Sequence, residues 1–206
     1  MNELIKKEPQ SIEEMKEQAE IMIASGLVPF DKVESVITVA LMGKELGLGF
    51  ATAINSIYDI KGKPALSVHL ATALARKAGV DFQLIKDFEP VLDANKKIID
   101  RVTTIKFFRF NKSLNKIIEN DISYYWKDAV KAGYTTNHSW ITKPKNMSRS
   151  RCLMEGIRFV ASDALLGISY EASELLDNIK NSSYEIDNEG NVVNFTLKDA
   201  KGNTIK

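Results

Sequence analysis

The stretch Trp140-Ile141-Thr142-Lys143-Pro144-Lys145-Asn146-Met147-Ser148-Arg149-Ser150-Arg151 carries the most chemistry in this sequence. Lys143, Lys145, Arg149 and Arg151 crowd together, and Arg158 follows one heptad later. Forked guanidinium donors match phosphate oxygens and lysines supply point charge, so the pattern suits a polyanion. At about 100° per residue, Ser150, Leu153, Met154, Ile157, Ala161, Ala164 and Leu165 form a stripe on the helix predicted over 146–166, with Met147 at its margin. Arg151 and Arg158 border that stripe on one side and Arg149 on the other. This predicts a helix packed on a sheet with guanidinium groups at its rim. Glu155 offers a competing account. It lies four residues after Arg151 and three before Arg158, so both arginines could be intrahelical ion-pair partners worth about 0.3 kcal/mol each.

A strand predicted over 101–110 adds the other half of a single-strand binder. Arg101, Ile105, Phe107 and Arg109 share one face, and Lys106, Phe108 and Phe110 share the other. Phe107, Phe108, Phe110 and Trp140 are candidate base-stacking residues, each stacked base contributing about 1–3 kcal/mol whatever its identity. Phenylalanines at strand spacing are equally what a core requires.

Other chemistries find little support. His69 and His138 stand apart, and neither sits in a metal-ligand spacing, so no metal site is expected. Gly43-Lys44-Glu45 lacks the flanking residues of a phosphate loop, and Gly47-Leu48-Gly49 follows a predicted helix where a dinucleotide fingerprint follows a strand. Glu174 and Asp177 share a helical face and read as a solvated surface, while Cys152 reads as a small packing residue. The expectation is a protein with no catalytic residue and no cofactor.

The elements that must position these residues come from a chain of 206 residues, 44% hydrophobic and 27% charged, the mix of a globular domain. Such a chain removes about 70% of its unfolded surface from water and needs neither disulfide nor metal to fold. A single cysteine and an N-terminus without an apolar run predict a cytosolic protein with no membrane span. The formal charge is only +1, yet the cations cluster in the middle. Six lie between Lys96 and Lys112 against Asp100, and five between Lys143 and Arg158 against Glu155, while acid collects towards both ends. This asymmetry fits either polyanion binding or a solvated charged face.

Ser11-Ile-Glu-Glu14 is a capping box that opens a helix ending at Gly26, and Val33, Val36, Ile37, Ala40 and Leu41 mark a second. A short helical turn over 49–56 precedes two strands flanking Lys61-Gly62-Lys63-Pro64. Ser67 caps a third helix closed by Gly79. Strands over 82–88, 101–110 and 118–125 follow, then a short helix stopped by Gly133, a loop over 134–142, the long helix and another over 170–180. The predicted fold is α+β, a small antiparallel β-sheet backed by helices in one domain over 1–180. A tail over 181–206 carries a hairpin around Asp187-Asn-Glu-Gly190.

These residues also carry a resemblance. Ser25-Gly-Leu-Val-Pro29, Gly43-Lys-Glu-Leu-Gly-Leu-Gly49 and Ile57-Tyr-Asp-Ile-Lys-Gly-Lys-Pro-Ala-Leu-Ser67 resemble the N-terminal half of the RecT-type phage recombinases, the single-strand annealing proteins. Trp126-Lys-Asp-Ala-Val-Lys-Ala-Gly133 is similar to the family's acidic-Ala-x-x-Ala-Gly element. Trp140, Pro144, Met147, Arg149 and Arg151 fall at the spacing of its W-x3-P-x2-M-x-R-x-R signature. The resemblance runs from about Glu20 to Asp177 and implies a small antiparallel sheet backed by helices. It further implies an ATP-independent protein that coats single-stranded DNA as a ring or filament and anneals it to a complementary strand, with a phage exonuclease or a host single-strand binding protein as partner. Where the family often has a Phe-Pro-Asp stop, this chain has Val160-Ala-Ser-Asp163. The candidate phosphate contacts are Lys61, Lys63, Arg76, Lys77, Lys106, Arg109, Lys143, Lys145, Arg149, Arg151 and Arg158. A passive single-strand binding or replication-accessory protein shares every basic feature. A structural assembly protein becomes the better reading if the arginines are paired, and no ordered carboxylate and lysine set supports a nuclease.

Overall fold

The structure, a computed structural model, describes residues 8, 9, 11–60, 62–168 and 170–177, and the backbone of three C-terminal strands. Three helices open the chain, α1 (Ile12–Ala24), α2 (Val33–Glu45) and α3 (Phe50–Ser56). The capping box acts as its residue types require, with the Glu14 N–H donating to Ser11 Oγ at 3.1 Å. Gly43 lets α2 and α3 meet, since a Cβ there would stand 2.1 Å from Ala53 Cβ. A hairpin of β1 (Ile57–Ile60) and β2 (Lys63–Leu66) follows, then α4 (Val68–Lys77), whose first turn donates from the Leu70 N–H to Ser67 Oγ at 3.1 Å.

The main sheet is antiparallel in the order β3 (Val80–Leu92), β4 (Ile98–Asn111), β5 (Lys116–Tyr125). Two register irregularities in β3, between Leu84 and Lys86 and between Lys86 and Glu89, bracket Asp87. Within this bulged segment Phe88 takes a positive φ of 59°. Next come α5 (Trp126–Lys131), a short 3-10 turn, α6 (His138–Thr142), α7 (Pro144–Ala161), a 3-10 turn over Ser162–Leu165 and α8 (Ala172–Asp177). The expected loop over 134–142 thus contains a helical turn, and the long helix stops at Ala161 rather than near Leu166. The tail pairs β6 (Ser182–Ile186) with β7 (Val192–Lys198), and β7 with β8 (Thr204–Ile205), so the expected hairpin has a third strand. The architecture is α+β with small antiparallel sheets. Among the described residues, no single helix is long and apolar enough to cross a membrane.

The long helix α7 is buried on two sides. Ser148, Cys152 and Gly156 recur every four residues and meet the inner face of the sheet. The Ser148 and Thr103 hydroxyls bond at 2.8 Å, Cys152 Sγ donates to Ile122 O at 3.2 Å, and a Cβ on Gly156 would lie 2.0 Å from the Phe107 ring. Small side chains therefore face the sheet. The stripe of Met154, Ile157 and Ala161 lies on the opposite side of the helix and is buried as well. The stripe expected against the sheet therefore faces away from it, because the small residues permit the closer approach.

Candidate nucleic-acid interface

On the open face of the sheet, cross-strand pairing puts Lys106 opposite Asp121 and Phe108 opposite Glu119. Lys106 Nζ lies 3.1 Å from Glu119 and 3.6 Å from Asp121, and these neighbours, the Glu119 hydrogen bond first, hold its ammonium above the usual lysine range. Two carboxylates thus face one ammonium around Lys106, and the face is not cationic. Phe108 is half-buried and Phe110, paired with Ile117, is exposed. Phe107 points to the other side and is fully buried beneath Gly156, so the expectation that it stacks on bases is corrected. Arg109 shares that inner side. It bonds Asp163 with both terminal nitrogens, one at 2.8 Å, and the Val160 carbonyl at 2.7 Å, closing the C-terminus of α7. The Asp163 hydrogen bond raises its already high pKa and lowers that of Asp163.

Trp140 is likewise core and not a stacking platform. Its ring is fully buried, with ring centres 5.7 Å from Trp126, 5.8 Å from Tyr134 and 6.2 Å from Tyr124. Its Nε1 donates to Asp177 Oδ2 at 2.8 Å, and Asn137 donates to the other oxygen of that carboxylate at 2.8 Å. The same Asp177 accepts from Arg151, which also meets Glu174 at 3.1 Å, and Glu174 in turn accepts from Arg158. Arg151 is only 4% exposed and does not emerge at a rim. The expectations for Glu174 and Asp177 are also overturned, since both are arginine partners in a buried network and not a solvated face. Those partners come from α8, not from Glu155. Burial pushes the Glu155 carboxyl up and the Arg158 guanidinium down.

The remaining candidates lie outside this network. Lys145 and Arg149 both converge on Asp87, at 2.6 Å from Nζ to Oδ2 and 2.6 Å from Nε to Oδ1. These bonds, Arg149 first, hold the Asp87 carboxyl at about 2. The bulge in β3 carries Asp87, so an irregular edge strand positions the start of α7. Arg76 lies over the Phe82 ring at 4.6 Å and 3.8 Å from Asp81, with both charged groups largely exposed. Lys63 sits over Tyr170 at 5.7 Å, held there because the Leu66 N–H donates to the Tyr170 carbonyl at 2.9 Å. Lys63, Lys77 and Lys143 are exposed and form no ion pair among the described residues, while Lys61 lies outside the described residues.

Sequence reasoning did not find the cleft of about 350 Å³ between α7, β5 and the segment before α8. Tyr124, Tyr134 and Tyr170 line it together with Arg151, Arg158 and Glu155. The tyrosines are spread over 46 positions with no common period, so no local signal marked them. Among the described residues no cluster of His, Cys, Asp or Glu could hold a metal ion. No family model, no curated protein and no solved structure matches the chain.

Proposed function

We propose that the chain is a single-stranded DNA-binding protein that promotes ATP-independent annealing of complementary strands in phage or prophage recombination, assembling as a homo-oligomer on the strand. The observation that carries this reading is the start of α7, where Lys145 and Arg149 share the one carboxylate of Asp87 beside exposed Lys143. Two cations on one carboxylate leave a positive charge at a solvent-facing edge, and that is where phosphates gain most from contact. The exposed Lys63 and Lys77 extend the set of available cations. Screening one backbone while leaving most base edges open lowers the encounter barrier between two anionic strands without a nucleoside triphosphate. The test is the pairing rate of complementary oligonucleotides in EDTA and without ATP. The expected result is faster pairing with the protein present, and slower pairing by a folded, DNA-bound preparation indicates passive binding instead.

A second reading is favoured by the ion pairs themselves. Arg76, Lys106, Arg109, Lys145, Arg149, Arg151 and Arg158 all have carboxylate partners, as a structural assembly protein would. Absence of any oligonucleotide binding at low salt selects this reading.

A further inference from the structure

We infer that the tyrosine cleft beside α7 is a nucleobase site that takes one planar, uncharged heterocycle and rejects free phosphate; as a DNA subsite this rests on the annealing reading above. Size comes first. A cleft of about 350 Å³ lies at the lower end of small-molecule sites and suits a nucleotide, not a peptide or a duplex. Its walls supply what a base needs. The exposed ring of Tyr170 offers a π face, the Arg158 guanidinium a planar group, and the carboxyl groups of Glu155 and Glu174 acceptors, with Tyr124, Tyr134 and Arg151 forming the floor.

Charge then selects among planar ligands. The two guanidiniums are matched by Glu155, Glu174 and, through Arg151, Asp177, so three carboxylates face two cations and a bare anion gains nothing. Arg151 and Arg158 already use donors on those carboxylates, which fixes their planes and leaves them preorganised as walls. A cation for the attached phosphate is near, since Lys63 Nζ lies 5.7 Å from the centre of the Tyr170 ring. Tyr170 itself is 45% exposed, so a base can reach it without opening the core. One anchored base per protomer leaves the neighbouring bases free to pair.

The experiment uses the full chain with the 5′-monophosphate of a fluorescent adenine analogue, then the same analogue within an oligonucleotide. Stacking on tyrosine should quench the monomer, inorganic phosphate should not compete, and Tyr170→Ala should weaken binding on the order of ten-fold. Tyr170→Trp should restore it. Competition by inorganic phosphate at equal concentration, or quenching unchanged in Tyr170→Ala, overturns the inference. If the monomer is bound but oligonucleotides are not, the annealing reading fails and the base site stands. If oligonucleotides bind with no dependence on Tyr170 in either arm, the base site fails and the annealing reading stands. If the monomer is not quenched at all, quenching within the oligonucleotide that is lost in Tyr170→Ala supports a base delivered by the strand.

Discussion

Arg151 and Asp177 meet as a buried ion pair although 26 residues separate them in the chain. Asp177 also accepts from Trp140 and Asn137, and Arg151 also bonds Glu174, so the pair ties α6, α7 and α8 together. Arg151 further lies 5.1 Å from the Tyr134 ring centre, sharing that aromatic cluster. The first and last residues of the Trp140 to Arg151 motif thus converge on one carboxylate, and that convergence gives the motif a structural role.

Removing Arg151 should therefore cost stability. Arg151→Ala leaves the buried Asp177 without its charged partner and Glu174 with Arg158 alone, and breaking a buried pair from one side costs about 3–5 kcal/mol. Arg149→Ala, at the half-buried edge, should cost less than about 1 kcal/mol. Urea denaturation separates them. Equal midpoints for the two variants would remove the structural role assigned to Arg151.

The strands, helices and caps were largely legible in the sequence, because period and capping chemistry are local. Ser11 with Glu14 and Ser67 with Leu70 needed only neighbours three residues away. The site was less legible for a physical reason. A stripe calculation assumes one buried face, whereas α7 is buried both along Ser148, Cys152 and Gly156 and along Met154, Ile157 and Ala161. Arg151 falls between two buried faces, and its partners lie on α8, beyond any intrahelical spacing. Glu155 had the right spacing, yet the distant carboxylates hold the arginines.

Gly156→Ala sets helix propensity against packing. Alanine raises intrinsic helix stability by about 1 kcal/mol over glycine. The added Cβ would stand 2.0 Å from the Phe107 ring, which is fully buried and cannot swing out into solvent. Overpacking of a filled core costs about 1–3 kcal/mol, so the expected net effect is destabilisation. A melting temperature at or above that of the parent chain would show that the ring yields. Phe107→Leu in the Gly156→Ala background should recover part of the loss.

Asp87 makes stability depend on pH in a defined window. Its folded-state pKa of about 2 lies below its unfolded value of 3.8, so its contribution is fully present above about pH 4 and is lost as pH falls towards 2. Arg149 and Lys145 are partly exposed, and solvent screening limits the contribution to about 1 kcal/mol. Melting curves of the parent chain and Asp87→Asn should differ at neutral pH and converge between pH 4 and 2. A difference that persists undiminished at the acid end would assign the effect to another group.

Salt dependence tests where phosphates touch the protein. Each neutralised phosphate on a single strand contributes a slope of about 0.7 in log affinity against log salt. If Lys143, Lys145, Arg149 and Lys63 each hold one phosphate, affinity should fall about fifty-fold between roughly 50 and 200 mM salt. Lys143→Ala should lower the slope by one contact, since that side chain is exposed and has no ion-pair partner among the described residues. Arg149→Ala acts twice, removing a donor and leaving Asp87 to Lys145 alone, so it should weaken binding more than Lys143→Ala does. Arg151→Ala should leave the slope of the surviving folded protein unchanged, because its guanidinium is buried against Glu174 and Asp177. A slope that falls with Arg151→Ala and not with Lys143→Ala or Arg149→Ala would move the interface from the start of α7 to the buried network, and a flat titration would count against phosphate binding altogether.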